Sequence, residues 1–125
     1  MAKENLDLEK RSVEERENDQ FRELRTILDN AKQHSEGWKS VLSEIIPREI
    51  LNKKDLQKIP ITRKSELSVL QNKIPPLGGL NTKPINHFKN LYVSPGPIYD
   101  PGGRNDFWRM SRAMRAASFI QGDIV

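Results

Sequence analysis

From Val13 to Gln33 the apolar residues Phe21, Leu24, Ile27, Leu28 and Ala31 recur at three- and four-residue spacing, the period of one helix face. Glu14, Glu15 and Glu17 crowd the first turns, where the helix dipole favours anions. Ser12, just before them, has the side chain of an N-cap. The pattern predicts a long amphipathic helix whose mixed charges form its wet face, preceded by a loose lead over residues 1–12. A shorter helix follows in SEGWKSVLS, Ser35 to Ser43, with Trp38, Val41 and Leu42 turned inward. Trp38 reads as a core anchor before it reads as a stacking platform for a ligand. Pro47 closes this region.

The next segment, DLQKIPITRKSELSVLQNK, reads as a helical turn, an extended Ile59-Pro60-Ile61 and a new helix capped by Thr62, with Leu67 and Leu70 on its inner edge. Paired prolines and glycines make IPPLGGLN, 74–81, a loop. HFKNLYV, His87 to Val93, has the composition of a buried strand. SPGPIYDPGG then forms a loop, and Phe107, Met110, Met114 and Ala117 mark a second helical stripe over 106–121. Asn105 suits its N-cap, Gly122 suits a left-handed C-cap, and the methionines suit core filling. A further apolar strand starts at GDIV, so the order strand-loop-helix-strand predicts a parallel crossover. The fold class expected is α/β: N-terminal helices, then the first strand-loop-helix-strand of an incomplete parallel sheet whose partner strands lie outside this sequence.

Composition narrows the chemistry. With no cysteine among 125 residues, disulfides, thiolate zinc sites and thiol catalysis are excluded. No apolar run approaches the ~20 residues of a membrane span, and the charged start is unlike a signal peptide, so a soluble cytoplasmic protein is expected. Residues 1–35 carry 7 basic and 9 acidic side chains, a net of −2; residues 36–125 carry 14 and 8, a net of +6. That excess suits either a phosphorylated or polyanionic ligand or a solvated lysine-rich surface. His34 and His87 have no ligand spacing and no carboxylate constellation, so neither a catalytic residue nor a metal site is assigned.

Several segments, in order, resemble the start of the phenylacetate–CoA ligase family of AMP-forming adenylating enzymes. The long helix ending in AKQHSEGWKSVL is similar to that family's first helix and the segment after it. DLQKIPITRKSEL, Asp55 to Leu67, resembles its "DL–LP-x-T-x-K-x-DL" signature, the most specific of the matches. LYVSPGPIYDPGG stands where the family has its phosphate loop, Ser-Ser-Gly-Thr-Thr-Gly-Lys-Pro, and FWRMSRAMRAASFIQGDIV is similar to the following helix and strand start. The resemblance implies that 13–125 is the N-terminal part of an AMP-binding ligase domain, truncated at its C-terminal side. It further implies a carboxylic acid substrate, ATP, CoA and Mg2+ for the full-length family, and no catalysis by this chain alone.

Placed on that loop, Ser94, Gly96 and Pro101 match, whereas Pro95 replaces a serine, Pro97 and Ile98 replace threonines, Tyr99 a glycine and Asp100 the lysine. Two prolines delete two N–H donors. Aspartate for lysine turns attraction into repulsion, worth several kcal/mol per phosphate charge at ~4 Å and an effective dielectric near ~20. The cofactor-binding residues that the resemblance nominates are Ser94, Gly96, Tyr99, Asp100 and Arg104. Tyr99 can stack on a base and Asp100 can hold magnesium or a ribose hydroxyl; equally, both suit a polar turn tied by local hydrogen bonds. Arg104, with Arg109 and Arg112 behind it, can supply the missing cation or simply be solvated or paired. The alternative from another class is a non-catalytic basic module that binds RNA or a protein partner, although no RNA-binding signature with interleaved aromatics is present. A pseudoenzyme remnant is a third possibility.

Overall fold

The computed structural model describes residues 8–103, 106, 108, 110–120 and 122–124. Its first long element, α1, spans Val13–His34 and starts as its sequence predicts. The Ser12 hydroxyl accepts the Glu15 N–H at 3.1 Å, and the Glu15 carboxylate accepts the Ser12 N–H at 2.8 Å. This reciprocal capping box satisfies two donors that a helix start otherwise leaves open. Asp19 then ties the first turns together by accepting from Arg11 and, at 2.6 Å, from Arg22.

Ser35 ends α1 and begins α2, Glu36–Val41. Its extended backbone leaves the helix while its N–H still bonds the Ala31 carbonyl, and its hydroxyl accepts the Trp38 N–H at 3.2 Å. The sharp turn lays α2 and the following chain against the apolar face of α1. Phe21, Leu28 and Ala31 pack with Leu42, Ile45 and Ile50, flanked by Leu24, Trp38, Val41 and Ile59. Ile50, 1% exposed, is the deepest of them. Burying a side chain of that size contributes about 1.5–3 kcal/mol. Ile27, expected on the same stripe, lies at its margin and is 52% exposed. Two cations clamp the 43–50 segment over this core: Arg25 donates to the Ile50 carbonyl at 3.3 Å, and Lys32 donates to the carbonyls of Ser43 and Ile45.

The Asp55 carboxylate organises the next turn, Asp55–Lys58, accepting the N–H groups of Leu51 and Asn52 and the Lys58 ammonium. After an extended stretch, α3 spans Lys64–Lys73. Its N-cap is Arg63 rather than the expected Thr62, because the Glu66 carboxylate reaches back to the Arg63 N–H and sets the first turn one residue later. The 74–81 segment is a loop, with Gly78 and Gly79 at φ values of +69° and +67°.

The mixed α/β class holds, but the strands are arranged differently from the expected crossover. β1, Asn90–Ser94, and β2, Ile98–Gly102, pair antiparallel as a hairpin, from Ser94 opposite Ile98 to Asn90 opposite Gly102. Pro95-Gly96-Pro97 makes the reversal. Neither proline can donate to a ladder, so both fit the turn better than a strand interior, and Gly96 takes φ +139°. The expected strand start at His87 belongs instead to a 3-10 turn, Ile85–His87. Expected to be buried, β1 is largely exposed at Leu91, Tyr92 and Val93. Residues 122–124 form no strand.

The last helix, α4, spans Met110–Ala116, shorter than its periodicity predicts. It ends where Ser118 turns to φ +66°, with Ser118 N–H bonded to the Arg115 carbonyl and Phe119 N–H to that of Met114. These two bonds close the C-terminus well before Gly122, which does adopt a positive φ, +105°, but outside any helix end. Met110 is exposed and Met114 half-buried, so the methionine stripe lies on the surface. Asn105 and Phe107 lie outside the described residues. Among the described residues, no helix is long and apolar enough to cross a membrane.

Candidate functional site

Three anchors build a cleft between α2, α3 and the hairpin. The first joins α2 to the 74–81 loop. The Gly79 carbonyl accepts from the Ser35 hydroxyl at 2.7 Å and from the Gly37 N–H at 2.9 Å. A side chain at Gly37 would meet Leu80 Cδ2 at 2.8 Å and the Gly78 carbonyl at 2.9 Å, so this approach requires glycine.

The second anchor is Gln71 on α3, which is 7% exposed. Its Nε2 donates to the Tyr99 carbonyl and its Oε1 accepts the Tyr99 N–H, both at 2.8 Å. The side-chain amide thus pairs with the outer edge of β2 as one peptide of a neighbouring strand would. The third anchor is the hairpin itself, which fixes Tyr99, Asp100 and Pro101 opposite Val93, Tyr92 and Leu91.

The resulting cleft has a volume of about 310 Å3. Trp38, Leu67, Leu77, Leu80 and Pro101 form its apolar walls, while Thr62, Asn81, Gln71, Tyr99 and Asp100 supply its polar positions. Leu77 is buried and Trp38 half-buried. Asp100 is also half-buried, and its carboxylate accepts no hydrogen bond from the described residues.

The nominated residues separate into two places. Tyr99 and Asp100 line the cleft. Ser94 and Gly96 stand at the hairpin turn, outside its lining, where the Ser94 hydroxyl donates to the Ile98 carbonyl at 3.3 Å. Arg104 and Arg109 lie outside the described residues. Arg112 pairs with Glu9 through two bonds of 2.6 and 2.8 Å, the paired alternative rather than a phosphate contact. His34 is exposed, and the His87 Nδ1 lies 3.0 Å from the side-chain oxygen of the neighbouring Asn86. Among the described residues no group of three metal-ligating side chains comes together.

Tested against ATP, this surface is a poor cradle for a triphosphate. Pro95, Pro97 and Pro101 have no N–H, the Tyr99 N–H is spent on Gln71, the Ser94 hydroxyl is spent on Ile98, and Asp100 is an anion. Phosphate cradles need converging N–H groups and a cation. The described residues of the hairpin do not fit that group.

The carboxylates displaced from their ordinary pKa are structural. The Ser12 N–H and hydroxyl hold Glu15 low; the Lys58 ammonium and Leu51 N–H do the same for Asp55. Asp106 is lowered by the hydroxyl and N–H of Ser111, and Glu9 by Arg112. Each belongs to a helix start, a turn or an exposed ion pair.

Gln71 is the residue that sequence reasoning passed over. It stands four residues after Leu67 and next to Leu70, on the inward face of α3, and a polar side chain at an inward position is itself the signal.

No protein-family model matches this chain, and no curated protein matches it in sequence. Among solved structures, the chain is similar to 2-hydroxyisobutyryl-CoA ligase, crystallised in the postadenylation state in complex with 2-HIB-AMP. The TM-score is 0.71 at 21% identity, over 81% of this chain and 22% of that one. This chain therefore shares the fold of about a fifth of that ligase.

Proposed function

We propose that this chain is the N-terminal portion of an AMP-dependent acyl-CoA synthetase of the phenylacetate–CoA ligase type, a cytoplasmic enzyme, and that by itself it is inactive. The observation that carries this reading is the backbone likeness to an acyl-CoA ligase over 81% of the chain. The ordered motifs from AKQHSEGWKSVL to GDIV, above all DLQKIPITRKSEL, support it from the sequence. In such an enzyme a carboxylate attacks the α-phosphate of ATP, and CoA then displaces AMP to give a thioester. ATP, CoA and Mg2+ are the groups this reading requires. The described hairpin residues are a poor cradle for a triphosphate, so on this reading the phosphates and the remaining chemistry are handled by other parts of the enzyme.

The test compares the 125-residue chain with a version extended through whatever coding sequence follows Val125. With ATP, Mg2+, CoA and a panel of carboxylic acids, the extended protein should release pyrophosphate and form an acyl thioester detectable by mass spectrometry. The 125-residue chain should do neither. Pyrophosphate release by the purified short chain, or an extension without adenylating activity toward any acid, would overturn the proposal.

A further inference from the structure

The cleft bounded by α2, α3 and β2 is matched to a ligand that a phosphate loop would reject. Its walls are apolar, with the Trp38 indole and the Leu77 and Leu80 side chains facing a volume of about 310 Å3, near the lower end for small-molecule sites. Its charged lining residue is Asp100, half-buried and without a hydrogen bond from the described residues. No lysine, arginine or histidine is among the described residues that line it. The amide of Gln71 is committed to Tyr99, and the Asn81 Nδ2 donates to the Lys83 carbonyl at 2.9 Å, so these groups favour a ligand that brings donors.

We infer that this cleft binds a small aromatic cation: a protonated amine on one ring, its charge beside Asp100 and its ring against Trp38 and the leucines. The charge would gain an ionic hydrogen bond at a site partly withdrawn from water. The ring would displace water from apolar walls, and a cation near an indole face gains further attraction. An organic anion of the same shape would meet the Asp100 carboxylate instead. This inference does not depend on the adenylating function; it rests on the cleft alone.

The experiment uses the 125-residue chain and three one-ring probes of similar size: benzylammonium, benzyl alcohol and benzoate. Binding is followed by NMR of the backbone amides and the Trp38 indole. Benzylammonium should bind at least tenfold more tightly than benzyl alcohol, about 1.4 kcal/mol, and benzoate more weakly than either. Shifts should centre on Trp38, Tyr99 and Asp100. Asp100→Asn should bring benzylammonium level with benzyl alcohol while leaving the alcohol's affinity and the protein's far-UV circular dichroism unchanged, which separates lost charge from lost fold. Asp100→Glu should retain the preference. No saturable shift with benzylammonium, equal binding of benzoate, or a cation preference that survives Asp100→Asn would each overturn the inference.

Discussion

The contact between Gln71 and Tyr99 offers the most direct test of how the hairpin is held. Gln71→Met preserves the length and approximate volume of the side chain but removes both 2.8 Å hydrogen bonds to the Tyr99 backbone. If water replaced both bonds freely, the loss would be about 1 kcal/mol each. Gln71 is only 7% exposed, however, so part of the Tyr99 peptide would stay unsatisfied, at about 1–3 kcal/mol per group. The expected cost is therefore about 2–4 kcal/mol. Because the hairpin meets the helices mainly through α3, the loss should appear as local opening rather than global unfolding. The assay is amide hydrogen exchange: Tyr99 should exchange about a hundredfold faster, equivalent to ~2.8 kcal/mol, while amides of α1 change little. Gln71→Glu adds a control with a sign. The introduced carboxylate can accept the Tyr99 N–H but faces the Tyr99 carbonyl as an anion, so its folded-state pKa is raised. The protonated acid can again donate, so protection should recover as pH falls through that raised value and be lost as pH rises. Tyr99 exchange unchanged in Gln71→Met, or protection in Gln71→Glu that worsens on acidification, would refute the pairing argument.

Ser12→Ala removes the side-chain half of the capping box and should cost about 0.5–2 kcal/mol in urea unfolding followed by circular dichroism, with the loss concentrated in the first turns of α1. Gly37→Ala places a methyl group within 2.9 Å of the Gly78 carbonyl and should destabilise by about 1–3 kcal/mol, lowering the melting temperature and loosening the 74–81 loop. The carboxylates of Glu15 and Asp55 have lowered folded-state pKa values, so they bind protons less readily folded than unfolded. Their contribution is present above the unfolded carboxylate range and is lost as pH falls through the folded values; stability should drop below about pH 4.5, and Asp55→Asn should flatten part of that drop. Ile61, Val69, Val93 and Trp108 are more than half exposed, so the isolated chain should bind a hydrophobic dye and self-associate at high concentration in sedimentation velocity. A dye-silent monomer throughout would mean that these side chains are covered in solution.

Local chemistry was the part legible in the sequence. Ser12 followed three residues later by Glu15 specifies a helix start, and the spacing of Phe21, Leu24, Leu28 and Ala31 specifies its buried face, because both depend on residues within a few turns of one another. The α1 boundary, the break at Ser35 and the 74–81 loop follow from the same short-range rules. The structure departs from the local pattern where a distant or competing partner chooses between local options. Thr62 and Arg63 were both adjacent to the start of α3, and the reach of the Glu66 side chain selected Arg63. A strand followed by prolines and glycines suits a loop into a helix as well as a hairpin. What distinguishes them is the pairing of Ile98–Gly102 with Asn90–Ser94 and the amide of Gln71, 28 residues earlier in the chain, on the other edge of β2. Tyr99 and Asp100 were visible as unusual residues from their sequence alone. Only the packing of α2, α3 and the 74–81 loop around them, through Ser35, Gly37 and Gly79, puts both on one apolar cleft and leaves Ser94 and Gly96 at the turn, because contacts that close long loops of chain have no short-range signature.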